Sequence, residues 1–259
     1  MDDLQARRAA SFGDAAAAYA RHRPGYPQDA VAWALTSGPA ATASDESRRV
    51  LDLAAGTGKL TEVVLRCAVP ANRLLAVEPD AQMRAELGRL LPDVELRAGS
   101  AERIPAADGA FDTVLVAQAF HWFEPDRALT EIARVLRPGG VLAVTGNAPD
   151  DSVEWVSALL NTSEQERSVR GPGRGFSEVP AHPAFGSQER RRFPWRWPRT
   201  VDSWLQTVRT HSWALVSSDE DREAGLAAIR TFLERNPATR GGSFELPWQT
   251  VVVRLLRLA

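Results

Sequence analysis

The stretch Val50-Leu51-Asp52-Leu53-Ala54-Ala55-Gly56-Thr57-Gly58-Lys59 decides how the rest of the chain is read. Val50 to Ala54 has the apolar run of a buried strand, and Gly56 and Gly58 then make a turn that opens a helix over Lys59 to Cys67. Glycine lets a backbone turn tightly and approach a ligand, while the N–H groups at a helix start favour polar or anionic atoms. Twenty residues beyond Gly58, Glu78 ends the next strand-like run, Arg73 to Glu78. A carboxylate there can accept hydrogen bonds from both hydroxyls of a ribose. Turn and acid together point to a nucleoside cofactor in the crevice at the carboxyl ends of the strands.

Two common nucleotide fingerprints fail on this turn. The dinucleotide pattern wants a third glycine where Thr61 stands, and the phosphate loop wants glycine at Leu53 and a hydroxyl at Leu60. Lys59, the only lysine, is therefore expected to be an exposed first-turn residue and not a phosphate ligand.

Outward from the turn, strands and helices alternate. A helix is expected over Asp80 to Leu91 and a third strand over Val94 to Ala98. A fourth strand is expected over Phe111 to Ala117, a helix over Arg127 to Leu136, and a fifth strand over Val141 to Gly146. Nearly continuous apolar strands are buried on both faces, as in a parallel sheet wound with helices on both sides. Upstream lie an alanine-rich helical lead, Leu4 to Leu35, and a polar linker, Ala40 to Arg49. Downstream, Asp150 to Asn161 reads as a helix, and Gly171 to Gly175, Pro180 and Pro183 as loop chemistry. Two further strands are expected over Arg191 to Trp197 and Phe244 to Leu258, with helices over Val201 to Arg209 and Asp219 to Glu234 between them.

The motif segments resemble, in order and spacing, those of class I S-adenosylmethionine (SAM)-dependent methyltransferases. Val50 to Lys59 resembles their first motif. Ala76-Val77-Glu78-Pro79-Asp80 with Met83 resembles the ribose-binding motif, and Gly99-Ser100-Ala101-Glu102-Arg103-Ile104-Pro105 the loop packed on adenine. Ala117-Gln118-Ala119-Phe120-His121-Trp122-Phe123 resembles the active-site end of the fourth strand. Leu136-Arg137-Pro138-Gly139-Gly140 resembles the turn before the fifth. Phe12, Tyr19 and Arg23-Pro24-Gly25-Tyr26-Pro27 resemble the lead segment of the group around trans-aconitate methyltransferases. The sequence departs from the family where Ala54 and Ala55 replace a frequent Gly-Cys, and where Ser100 replaces a frequent aspartate.

The resemblance implies an α/β fold with a Rossmann-like seven-stranded sheet, mostly parallel with the last strand antiparallel, and a small cap. It divides the chain into a lid over the cofactor (1–40), a SAM-binding core (41–150), a substrate-side cap (151–200) and closing helices and strands (201–259). It implies a cofactor site of Tyr19, Arg23, Asp52, Ala54, Gly56, Thr57, Gly58, Glu78, Pro79, Met83, Ser100, Ala101, Glu102, Gln118 and Ala119. Tyr26 and Trp122 fall on the substrate side. His121 is the candidate catalytic residue, by orienting substrate or accepting a proton, with packing beside Trp122 as the alternative. Arg23 is expected to reach the cofactor's carboxylate.

The implied reaction is O-, N- or C-methylation of a small molecule, with carboxylate O-methylation preferred; a carboxylate acceptor needs no general base, whereas one would help a hydroxyl or an amine. A SAM-binding scaffold, an RNA-modifying methyltransferase and a nicotinamide-dependent oxidoreductase are the rivals. Thr61 argues against the last. A net charge of −2 offers no general pull on nucleic acid. Arg191, Arg192, Trp195, Arg196 and Trp197 alternate as a strand with one apolar and one solvated face would. Arg170, Arg174 and His182 are candidates for holding an acidic substrate from a cap loop. No residues show metal-ligand spacing. No apolar run is long enough to span a bilayer, and Cys67 is the only cysteine, so a cytoplasmic setting is expected.

Overall fold

Alternation along the strands sorts their side chains onto two faces of one sheet. In a computed structural model describing residues 16–36, 48–162 and 178–259, Leu51, Leu53, Leu75, Val77, Val114 and Val116 point into one core. Their neighbours Val50, Leu74, Ala76 and Leu115 point into the other. Fully burying such a side chain contributes roughly 1.5–3 kcal/mol, so both faces need a helical layer.

The elements run in chain order as helices α1 (Ala16–His22) and α2 (Gln28–Leu35), strand β1 (Val50–Leu53), α3 (Lys59–Arg66), β2 (Leu74–Val77), α4 (Ala81–Leu90), β3 (Glu95–Arg97), β4 (Phe111–Ala117), α5 (Pro125–Val135) and β5 (Leu136–Pro149). There follow α6 (Glu154–Leu160), β6 (Glu189–Thr200), α7 (Val201–Val208), α8 (Ser212–Val216), α9 (Asp219–Arg235) and β7 (Ser243–Leu256). Strand order in the sheet is β3-β2-β1-β4-β5-β7-β6. The first five strands pair in parallel, and β7 runs antiparallel to both β5 and β6. The seven-stranded, mostly parallel α/β sheet read from the sequence is the one observed. Its order reverses between β1 and β4, which opens a crevice beyond their carboxyl ends.

Helix α5 lies in the core with Leu51 and Val114, whereas α2, α3 and Leu87 of α4 lie in the core with Val50 and Leu74. A third core is rich in tryptophan. Trp204 is fully buried against Trp197, Trp248 and His211, with ring centroids 6.4, 6.0 and 6.1 Å away. Side chains of α6, α7, α8 and α9 close over the ends of β6 and β7 there.

Several boundaries differ from the sequence reading. Strand β5 runs on to Pro149 because the antiparallel ladder with β7 continues to the Pro149–Trp248 pair. Strand β3 is an edge of three residues with exposed side chains at both ends, not a strand buried on both faces. Helix α6 starts at Glu154 because the Asp150 carboxylate accepts from the Ser152 amide and hydroxyl, which holds a turn before it. The strand expected over Arg191 to Trp197 is present and longer, Glu189–Thr200, pairing with β7 along its length as the sheet's outer strand. The beginning of the lead with Phe12, most of the linker, and the loop with Arg170 and Arg174 lie outside the described residues.

Candidate active site

The crevice at the strand ends holds a cavity of about 310 Å³, within the range of small-molecule sites. Its floor is the turn after β1. Gly56 and Gly58 have φ of +57° and +86°, the left-handed region that favours glycine. Ala54 takes φ +57° without that freedom, at the position where the family often has glycine. Gly58 caps α3 and is packed closely. A Cβ there would stand 3.1 Å from Leu87 Cγ and 3.2 Å from Leu91 Cδ1.

Glu78 at the end of β2 is buried, and backbone donors set its carboxylate. Oε2 accepts from the Gly56 amide at 2.8 Å and Oε1 from the Asp80 amide at 2.9 Å. Burial raises its pKa, and those two hydrogen bonds oppose the rise. Each oxygen retains acceptor capacity, so the group can still take two ribose hydroxyls. Asp80 caps α4 by accepting from the Gln82 and Met83 amides, which sets Met83 against the cavity.

Asp52 sits beneath the floor, with no exposed surface and outside the cavity lining. Its Oδ2 accepts from the Thr61 hydroxyl at 2.6 Å, which gives the residue that breaks the dinucleotide pattern a structural task. Burial pushes the Asp52 carboxyl up to about 7, with the Thr61 hydrogen bond opposing and Glu78 adding to the rise. At the end of β4, Gln118 has φ +55° and donates from Nε2 to the Asn147 carbonyl at 2.7 Å. An amide bound by its nitrogen to a carbonyl presents its oxygen elsewhere.

Of the residues expected at the site, Tyr19, Tyr26, Ala54, Gly56, Thr57, Glu78, Pro79 and Met83 line the cavity. Ser100, Ala101, Glu102, Gln118, Ala119 and Trp122 complete that set. Asp52, Gly58, Arg23 and His121 do not border it. Arg23 donates to the Thr210 carbonyl at 2.9 Å, with its guanidinium carbon 5.0 Å from the centre of the Tyr19 ring. His121 is partly buried beside Trp122, ring centroids 4.5 Å apart, and burial lowers its pKa to about 4. His182, expected near an acidic substrate, is 3.4 Å from the Thr130 hydroxyl and away from the cavity lining.

The sequence reading missed Ala55, Lys59, Leu60, Asp80, Gly99, Ala117 and Phe123 in the lining. Asp80 and Phe123 stand inside the quoted motifs, and nothing in the sequence showed which members of those motifs turn inward. Lys59 is half-buried at the cavity edge, and burial lowers its pKa, contrary to the expected exposed position.

The donor and acceptor set fits an adenosyl amino acid. Thr57 Oγ1 and Gln118 Oε1 on the lining, and Asp52 Oδ1 beneath it, are buried without a hydrogen-bond partner. Unpaired buried acceptors of this kind suit an ammonium group, and Glu78 suits a ribose diol.

Comparison with known proteins shows what the chain as a whole is similar to. A methyltransferase-domain family model matches residues 51–144, from β1 into β5. An uncharacterized methyltransferase of Mycobacterium tuberculosis is 38% identical over 245 residues, 94% of this chain and 94% of its own. A malonyl-[acyl-carrier protein] O-methyltransferase of Methylococcus capsulatus is 40% identical over 147 residues, 51% of this chain and 52% of its own. A solved protein from Anaeromyxobacter dehalogenans shares the fold with a TM-score of 0.66. It is 24% identical, with 91% of this chain and 97% of that one covered. With the turn at Gly56 and Gly58, the Glu78 carboxylate and a full-length methyltransferase relative in agreement, the chain belongs to the class I SAM-dependent methyltransferases.

Proposed function

We propose that this methyltransferase acts on a small molecule and methylates a carboxylate oxygen. The observation that carries this reading is the position of His121, which lies outside the cavity lining and packs beside Trp122. With a pKa near 4 it is neutral and weakly basic at physiological pH, so it is poorly matched to deprotonating a hydroxyl or ammonium acceptor. A carboxylate arrives already ionised and needs no such base. The similar Methylococcus capsulatus protein, an O-methyltransferase named for malonyl-[acyl-carrier protein], favours the same acceptor chemistry.

In this reading Glu78 accepts from the ribose hydroxyls, while Met83, Pro79, Ser100, Ala101 and Glu102 frame the adenine. The backbone from Ala54 to Thr57, with Gln118 and Ala119, holds the amino-acid end above Asp52. Bound SAM supplies an electrophilic methyl group on a positively charged sulfur. The chain's own contribution is alignment of the acceptor and exclusion of water, with Tyr19 and Tyr26 across the cavity and Trp122 and Phe123 as walls. Tyr26 and Trp122 face the acceptor, and His121 backs Trp122 rather than moving a proton.

The test is methyl transfer from methyl-labelled SAM to a panel of carboxylic acids, alcohols and amines. A carboxylate product releases labelled methanol in mild base, whereas methylated hydroxyls and amines keep their label. Base-stable label on every accepted compound would refute carboxylate transfer.

A further inference from the structure

The segment that covers the cavity from the N-terminal side is Tyr19 to Tyr26, and both tyrosines line it. Three hydrogen bonds fasten the segment between them, two to its own carbonyls and one from the Arg23 side chain. Thr207 Oγ1 donates to the His22 carbonyl at 2.9 Å, Arg23 Nη2 donates to the Thr210 carbonyl at 2.9 Å, and Asn147 Nδ2 donates to the Gly25 carbonyl at 2.8 Å. The first two come from or reach the α7 end of the tryptophan-rich layer. The third comes from the sheet itself.

Asn147 sits near the end of β5, 5% exposed, and pairs across the ladder with fully buried Thr250 of β7. The Thr250 hydroxyl donates to Asn147 Oδ1 at 2.5 Å and accepts from Trp195 Nε1 of β6 at 3.1 Å. This order of donors has a chemical cause. An indole N–H can only donate, so the Thr250 oxygen receives it and turns its single proton toward Asn147. The oxygen of the Asn147 amide is thereby occupied, and its nitrogen faces Gly25. The Asn147 main-chain carbonyl meanwhile accepts from Gln118 on the cavity wall. One residue thus joins the covering segment, the cavity wall and the two outermost strands.

We propose that Asn147 is the positioning residue that holds Tyr19 and Tyr26 over the bound cofactor, with its amide oriented by the Trp195–Thr250 relay. Pro27 restricts the backbone of Tyr26, and fixing the Gly25 carbonyl orients the Gly25–Tyr26 peptide plane from which the Tyr26 side chain leaves. Strands β6 and β7 therefore do more than close the sheet. They carry the donor chain that sets the cover. The inference rests on the cavity being the SAM site.

The test uses the full chain with Asn147→Ala and Asn147→Asp. Aspartate keeps the shape and the acceptor for Thr250 but, once ionised, has no donor for Gly25. Loss of one such buried hydrogen bond is expected to speed dissociation of S-adenosylhomocysteine about tenfold. The KM for SAM should rise to match, with kcat within about threefold, which is the pattern of lost binding and not lost chemistry. Hydrogen exchange at residues 16–27 should quicken while that of 50–53 and 111–117 stays as in the wild type, a split that general destabilisation would not give. Folded variants with wild-type dissociation and wild-type exchange at 16–27 would overturn the proposal. Should both variants fail to fold, Trp195→Phe carries the test. Removal of the indole donor frees the Thr250 proton and is expected to speed dissociation two- to threefold, on the order of half a hydrogen bond. An unchanged rate there would overturn the relay. Failure of the wild-type chain to bind S-adenosylhomocysteine is a separate result and strikes the cofactor assignment of the cavity instead.

Discussion

The Glu78 carboxylate accepts the Gly56 amide at 2.8 Å, tying the end of β2 to the glycine turn after β1. The acid and the turn are 22 residues apart in sequence and form one rigid cradle. Glu78→Gln keeps the size but replaces one acceptor oxygen by an amide that repels the Gly56 or Asp80 N–H. A charged hydrogen bond contributes about 1.5–3 kcal/mol, so SAM affinity should fall roughly ten- to a hundredfold. Titration calorimetry checks this, and unchanged affinity would remove Glu78 from the site.

Ala54 carries a left-handed backbone at φ +57°, which costs an L-residue roughly 1–2 kcal/mol. Glycine removes that strain but adds unfolded-state entropy, so Ala54→Gly should gain up to about 1 kcal/mol. For a chain of this size that is a rise in Tm of roughly 2–4 °C. Ala55 is not among the residues with positive φ, and Ala55→Gly should lower Tm. Calorimetry on both variants separates strain relief from any general benefit of glycine in the turn.

Asp52 and His121 load the pH dependence of stability in opposite directions. The Asp52 carboxyl is raised from 3.8 to about 7, so across that window the unfolded chain has lost a proton the folded chain retains. Stability contributed by this group therefore falls as pH rises from about 4 to 7. Asp52→Asn keeps an acceptor for Thr61 and should remove that slope. Urea midpoints at pH 5 and pH 7.5, compared with the wild type, read the difference. A wild-type slope in the variant would show that Asp52 does not titrate there.

His121 is lowered from 6.5 to about 4 by burial. Between those values the unfolded chain binds a proton that the folded chain refuses, so stability is lost as pH falls from 6.5 toward 4. Its imidazole stays neutral across the physiological range, and no limb of the rate profile between pH 6 and 8 should belong to it. His121→Asn is expected to lower kcat/KM by less than about tenfold, below the usual contribution of a general base, and to leave the profile's shape intact. Loss of a limb in that variant would restore His121 as a proton acceptor.

Local patterns carried most of the fold. Apolar runs such as Val50–Leu53 and Phe111–Ala117 bury both faces, and that demand alone implies a parallel sheet between helical layers. Glycines 56 and 58 and the acid at 78 are likewise local, because backbone conformation and a strand-end carboxylate are properties of a few consecutive residues. The boundaries that failed depend on pairing. Strand β5 reaches Pro149 only because β7 runs beside it, and β3 is a three-residue edge paired only with β2.

Within the site, the motifs were enough to show which segments meet at the crevice and what chemistry they bring. The tertiary structure decided which side chains face it. Asp52 lies under the floor held by Thr61, Arg23 turns away to the Thr210 carbonyl, and His121 lies outside the lining. Lys59 moves to the edge and is half-buried there. Each of those outcomes rests on a partner far away in sequence, or on the packing of several elements at once. Asn147 shows the same limit most clearly. Nothing in its neighbourhood along the chain marks it, because its partners stand at 25, 118 and 250, and only folding brings them within hydrogen-bond reach.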